Sequence, residues 1–293
     1  MPNLHKNASL LLSRLLAGSL RRMPREDLEW VARTIGRART KAGAEELALF
    51  GRCLSQEHYG ITNSLEHNGE AWLLEVTSRL GFDTLFDVGA NVGDWTRRAA
   101  PLHPGARIHC FEIVPSTFDA LRTALHDLDD RVILNKFGLG QKDGTVDLFI
   151  SPTDNLISSI YSFDAAAARQ RIEGQIRDAM SYVESHRVKK IDLLKLDVEG
   201  AESLVVKGLL PLIETGGIRI AQFEYNRGAL QSRFLLRDFY DLFGPRGYTL
   251  GKLTPEGVNF RPYDWDLEDF YGPNYVAVRR DDTEVIELLR QVS

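Results

Sequence analysis

The strongest constraint on this chain lies at Thr84–Val88, an apolar run that ends directly in Gly89-Ala90-Asn91-Val92-Gly93-Asp94-Trp95. An apolar strand that stops in a glycine turn and restarts as a helix opens a strand–turn–helix unit buried on both faces. Gly89 permits a tight turn and Gly93 lets the following helix pack close to the sheet. Asn91, between them, is one of the few non-glycine residues that tolerates a left-handed backbone. The amides of such a turn face a ligand at the carboxyl end of the strand. Further apolar runs predict strands at Arg107–Glu112, Val132–Phe137, Ile191–Asp197, Ile218–Tyr225 and Asn274–Val278. Helical stretches separate them; in the one that starts at Pro115, Phe118, Leu121 and Leu125 share a face. The pattern predicts an α/β domain with a doubly wound, mostly parallel sheet.

About twenty residues after the turn, Ile108-His109-Cys110-Phe111 ends in Glu112. An acid at the end of an apolar central strand must face something polar, and there it can accept both hydroxyls of a ribose. A nicotinamide enzyme would show Gly-x-Gly-x-x-Gly with a diphosphate on the helix N-terminus. Here the spacing is Gly-x-x-x-Gly, with Asp87 just before it and Asp94 opening the helix. Two carboxylates repel a diphosphate, but they suit the amino group and sulfonium of S-adenosylmethionine. No Gly-Lys-Ser/Thr phosphate loop is present. A nicotinamide-dependent oxidoreductase is the alternative enzyme class.

Two later strings carry charge into the apolar texture. In Ile191-Asp192-Leu193-Leu194-Lys195-Leu196-Asp197-Val198-Glu199-Gly200-Ala201-Glu202, alternation puts Lys195, Asp197 and Glu199 on one side. In Gln222-Phe223-Glu224-Tyr225-Asn226 it does the same for Gln222, Glu224 and Asn226. Neighbouring strands would crowd these acids at one edge of the sheet, where charge is costly unless paired or functional. Asp197, Glu199 and Glu224 are the candidates for taking a proton from a poor nucleophile. The bland alternative is a Lys195–Glu224 ion pair. Three acids together can also hold a divalent cation, a secondary reading because cofactor and lysine contacts already explain them.

The 293 residues divide by texture. Residues 1–70 read as a helical N-terminal extension, and 71–293 as the catalytic domain. The extension is basic, with an apolar stretch from Ala8 to Leu20 broken by Arg14 and followed by Arg21 and Arg22. It reads as a cap on the main domain or a homodimer contact, with an amphipathic helix on an anionic membrane as the competing reading. A membrane-docked, non-catalytic S-adenosylmethionine-binding protein follows from that competitor. Residues 151–190 form an insertion without clear strands, with a helical run at Ala165–Ile176, long enough to cover a substrate site. A net charge of −5 gives no broad basic surface for nucleic acid. Two distant cysteines, Cys53 and Cys110, fit a reducing, cytoplasmic setting.

The strings Asp87 to Gly93, Phe111-Glu112, Leu194 to Glu202, Gln222 to Asn226, Gly247-Tyr248 and Asn274 to Ala277 together resemble the FkbM family of methyltransferases. The resemblance runs from about Asn68-Gly69-Glu70 to residue 280. It implies a class I methyltransferase fold on a seven-stranded sheet and O-methylation of a hydroxyl on a sugar, glycan or natural product. It implies cofactor contacts among Asp87, Gly89, Ala90, Asn91, Val92, Gly93, Glu112 and Ile113, adenine near Phe137 and Gly138, and Asp197 and Glu199 beside the methyl donor. One departure is Asp178-Ala179-Met180, where the family shows Thr-x-Asp ahead of a helix.

Overall fold

The computed structural model describes residues 23–37, 44–58, 62, 64–128, 130–150, 158–159 and 170–290. The chain forms two compact units, one ending at His58 and the other comprising the rest. The division falls before the expected boundary at residue 70, because Asn68 and Glu70 are buried in the second unit. The first unit contains α1 (Arg25–Arg37) and α2 (Ala44–His58). Glu26 and Asp27 in the first turn of α1, and Glu45 and Glu46 in that of α2, complement the positive end of each helix dipole. Trp30, Leu47, Phe50 and Leu54 are exposed on this unit. The apolar stretch Ala8 to Leu20 and the arginines after it lie outside the described residues.

The second unit begins with α3 (Glu70–Thr77) and then alternates: β1 (Thr84–Val88), α4 (Asp94–Leu102), β2 (Arg107–Phe111), α5 (Pro115–Ala124) and β3 (Val132–Asn135). After a second, smaller sheet, made of β4 (Gly138–Gly140), β5 (Gly144–Ile150), β6 (Ser158–Ser159) and β7 (Gln170–Asp178), come α6 (Ala179–Ser185), β8 (Ile191–Leu196), α7 (Glu202–Gly208), α8 (Leu210–Glu214) and β9 (Ile218–Asn226). The chain closes with α9 (Gly228–Ser232), α10 (Leu236–Phe243), β10 (Tyr248–Thr254), β11 (Gly257–Phe260), β12 (Tyr271–Arg279) and α11 (Thr283–Leu289).

The main sheet has eight strands in the order β11-β10-β12-β9-β8-β1-β2-β3. Strands β3, β2, β1, β8 and β9 are parallel, and the last three join antiparallel. Six of these strands are read from the sequence, β10 makes up the seven that the resemblance implies, and the eighth is β11, the short return of a hairpin on β10 at the edge. Every residue of β8 is buried, as a parallel strand covered on both faces requires. Side chains of alternate parity feed two cores, with Phe86, Leu194 and Phe223 on one face and Leu85, Leu193 and Ile220 on the other. Asp87 and Lys195 sit opposite each other in register within this apolar sheet, on the second face, and Gln222 is next in line on β9.

The insertion corrects the sequence reading. The expected helical run Ala165–Ile176 is a β-strand from residue 170 onward, and its first residues lie outside the described set. Ile172, Gly174 and Ile176 turn inward while Arg171, Glu173, Gln175 and Arg177 are exposed, a period of two that a helix cannot satisfy. Pairs Arg171–Asp147 and Arg177–Asp143 run along the solvent face of this sheet. Asp178, at the departure from the family pattern, caps α6 by accepting from the Ser181 amide at 2.7 Å. Among the described residues no helix is long and apolar enough to cross a membrane.

Candidate active site

The turn after β1 is built as its residues demand. Gly89, Asn91 and Gly93 have φ of +83°, +49° and +97°. The Gly89 and Ala90 amides both donate to Phe111 O at 2.9 Å, drawing the turn over the end of β2. A Cβ on Gly89 would lie 1.8 Å from the Asp197 carbonyl oxygen, so this position has room for glycine alone. On Gly93 a Cβ would come within 3.0 Å of Leu121 and Leu125, which fixes how closely α4 packs on α5.

Glu112 leaves β2 just beyond its last residue. One oxygen accepts from the Asn91 amide at 3.0 Å and the other from Val114 at 2.8 Å. Burial pushes its carboxyl up, against the pull of those two amides. Each oxygen keeps a lone pair for a further donor, such as the diol of a ribose. Ile113 lies against the backbone positions of Gly138 and Gly174, which have no side chain to displace it. Phe137 is half-buried, its ring 5.9 Å from those of Phe111 and Tyr182. Val92 is half-buried beside Asn91.

Asp87 differs from its expected place among the cofactor contacts. It is wholly buried beneath the turn, accepting from Thr96 Oγ1 at 2.7 Å and pairing with Lys195 Nζ at 3.3 Å. Lys195 in turn reaches Asp197 at 3.4 Å. Lys195 thus pairs with Asp87 and Asp197 and not, as in the bland alternative, with Glu224, which accepts from Asn226 Nδ2 at 2.7 Å.

Carboxylate oxygens of Asp197, Glu199 and Glu224 lie within 4.8 Å of one another. Strand parity brings Asp197 and Glu224 to one side, and a left-handed Glu199 (φ +50°) followed by Gly200 turns the loop back over them. Burial, then Asp197, raises Glu199 to about 7. Burial first, and then the surrounding acids, hold Glu224 well above the ordinary carboxylate range. Sequence reasoning left two acids out of this set. Glu202 accepts from the Val198 and Gly200 amides and is raised to about 7, chiefly by burial. Glu70, from α3, accepts from Asn68 Nδ2 and Gln222 Nε2, and burial raises it as well. The signal for Glu70 was an acid opening an apolar helix directly after Asn68-Gly69. A small pocket beside Glu224 is lined by Glu202, Ser203, Asn226, Phe234 and Phe239.

A glycine cradle beside a buried carboxylate, with further carboxylates at the next strand ends, fits a cationic nucleoside. The family described as Methyltransferase FkbM domain matches residues 87–250 of this sequence, all of the cradle and all three acids included. The chain belongs to the FkbM methyltransferase family. Its main sheet is accordingly the S-adenosylmethionine-dependent methyltransferase fold, widened by β11. Among relatives, this FkbM-family chain is 27% identical over 189 residues to Hexuronic acid methyltransferase AglP of Haloferax volcanii, covering 64% of this chain and 76% of that one. It is 29% identical over 157 residues to 31-O-demethyl-FK506 methyltransferase FkbM of Streptomyces tacrolimicus, covering 43% and 59%. It is 28% identical over 144 residues to Methyltransferase 1 of Beauveria bassiana, covering 43% and 57%. The match thus spans less than two thirds of the last two proteins.

Proposed function

We propose that this protein moves a methyl group from S-adenosylmethionine to a hydroxyl oxygen of a sugar, glycan or natural product. The observation that carries the reading is the junction of two sites at one sheet edge: the Gly89–Gly93 cradle with Glu112, and the carboxylates of Asp197, Glu199 and Glu224. Bound there, S-adenosylmethionine supplies an electrophilic methyl on a positively charged sulfur. Glu112 holds its ribose and the Gly89–Gly93 turn lies against its methionine end, while Ile113, Phe137 and Gly138 supply an apolar wall for the adenine. Asp197 stands nearest the turn and faces the positive sulfur. Glu224, whose proton affinity is raised by burial and by the acids around it, accepts the hydroxyl proton of the acceptor. Glu199 orients that hydroxyl. The protein's contribution is placement and removal of a proton, since the reacting methyl needs no covalent help.

Two relatives whose names give a hexuronic acid and 31-O-demethyl-FK506 support an oxygen acceptor. We read the acids as proton and cofactor groups rather than metal ligands, because Asp197 is shared with Lys195 and Glu224 with Asn226. We place the activity in the cytoplasm, with the N-terminal helices as a contact between two copies. The test is transfer from labelled S-adenosylmethionine to a panel of sugars, glycolipids and hydroxylated metabolites, with and without EDTA. Label in an O-methyl product supports the reading. Tight NADH binding without S-adenosylmethionine binding overturns it, and activity lost to EDTA and restored by magnesium reassigns the three acids to a metal.

A further inference from the structure

Lys195 is a buried cation in the middle of an apolar sheet, 4% exposed. Burying an ammonium costs several kcal/mol unless it is fully paired, and this one is. Its Nζ lies 3.3 Å from Asp87 Oδ1, 3.4 Å from Asp197 Oδ2 and 3.4 Å from the Gly89 carbonyl oxygen. An ammonium has three donors and no acceptor; this one hydrogen-bonds Asp87 and the Gly89 carbonyl and faces Asp197 as an ion pair, so Lys195 acts through what it holds. Asp87 is anchored from its other oxygen by Thr96. Gly89 is anchored by its amide to Phe111 and by the seam against the Asp197 carbonyl. Asp197 alone among the three is partly open, its side chain 40% exposed.

We infer that Lys195 is a positioning residue. By fixing one oxygen of Asp197, it aims the other at the positively charged sulfur of the cofactor, and so makes the site prefer the charged methyl donor to the neutral S-adenosylhomocysteine left after transfer. The inference rests on the methyltransferase reading above. It assigns to a residue that touches neither substrate a share in clearing the spent cofactor, because the carboxylate loses its partner when the sulfur loses its charge.

The measurement is calorimetric binding of S-adenosylmethionine and S-adenosylhomocysteine to the full-length protein and its variants, with melting temperature alongside. Wild type is expected to favour the charged compound. Lys195→Met should narrow that preference about tenfold, the scale of one charge-assisted contact, with affinity for the neutral compound little changed. Removing a positive charge would by itself favour the cationic ligand, so a narrowed preference reports lost placement of Asp197 and not a change of field. Asp197→Asn should narrow the preference equally, and Lys195→Met added to it should do nothing more. Lys195→Arg, which keeps a cation, should recover most of the preference. Equal loss for both compounds in Lys195→Met would make the lysine mere scaffold, and a widened preference would overturn the inference as well. Asp197 is half-open to solvent, so an unchanged preference in Asp197→Asn overturns it even if Lys195→Met fails to fold. Wild-type protein that binds neither compound would instead remove the methyltransferase reading, and this inference with it.

Discussion

In the proposed reaction, Glu224 takes the acceptor's proton. Glu224→Gln keeps the side chain's size and can still accept from Asn226, but it cannot take a proton. Turnover is expected to fall by about 10²–10⁴, the usual worth of a general base, while S-adenosylmethionine binds as before; near-normal turnover would take the role away from Glu224. Glu202 makes a different prediction, about stability. Its folded value of about 7 stands above the ordinary 4.5, so the fold favours its protonated form. That contribution is complete below about 4.5 and is lost as pH rises through about 7. The ligand-free protein should therefore melt lower at pH 8 than at pH 5.5, and Glu202→Gln should flatten the slope by up to about 3 kcal/mol. An unaltered slope would mean that Glu202 is charged in the fold throughout. The residues of the cradle were legible in the sequence because their constraint is local: a left-handed Asn91 and two close approaches are written into seven consecutive positions. The partners of Lys195 were not. Its Asp87 contact joins residues 108 apart, and parity alone could not choose between Asp87 and Glu224 as the ion-pair partner.

Among the elements, the parallel strands were legible and the small sheet was not. Strands β1, β2, β8 and β9 are short apolar runs bounded by turns, which is what burial on both faces writes into a sequence. Strand β7 has one wet face, and Gly174 removes a side chain from its inward row, so its alternation is hidden next to Ala165-Ala166-Ala167-Ala168. Strands β10 and β11 were missed for a related reason: Gly251 and Lys252 interrupt the apolar run, although both are buried. Gly174 also ties this sheet to the cofactor side. A Cβ there would lie 2.6 Å from Ile113 Cγ1 and 2.7 Å from Leu148 Cδ1. Gly174→Ala should cost about 1–3 kcal/mol as an overpacked site, read as a lower melting temperature, and it should weaken S-adenosylmethionine binding through displaced Ile113. Gly144→Ala, on β5 with nothing within 4 Å of its new Cβ, is the control expected to be neutral. Equal behaviour of the two variants would refute the packing argument.

Over the whole molecule, the site among the described residues draws on Glu70 to Phe239, all in the second unit. The sequence reading set the edge of a helical extension at residue 70, whereas the second compact unit begins at Tyr59, and nothing local marks Glu70 as belonging to a site built by β8 and β9. Deleting residues 1–58 should leave S-adenosylmethionine affinity unchanged and lower the oligomeric state in sedimentation, as the exposed Leu47, Phe50 and Leu54 of α2 are removed with it. Binding of the full-length protein to anionic vesicles, lost on the same deletion, would favour a membrane surface instead of a second copy.

The seam between Gly89 and the Asp197 carbonyl bears on where new specificities could be bred. No side chain fits there, so a library that randomised the seam would return little besides its parent. Around the pocket by Glu224, by contrast, Ser203 and Ser232 sit on short helices and Phe234 in the loop after α9. A search for altered acceptors has its room on that side, and the donor half would come through such a search intact.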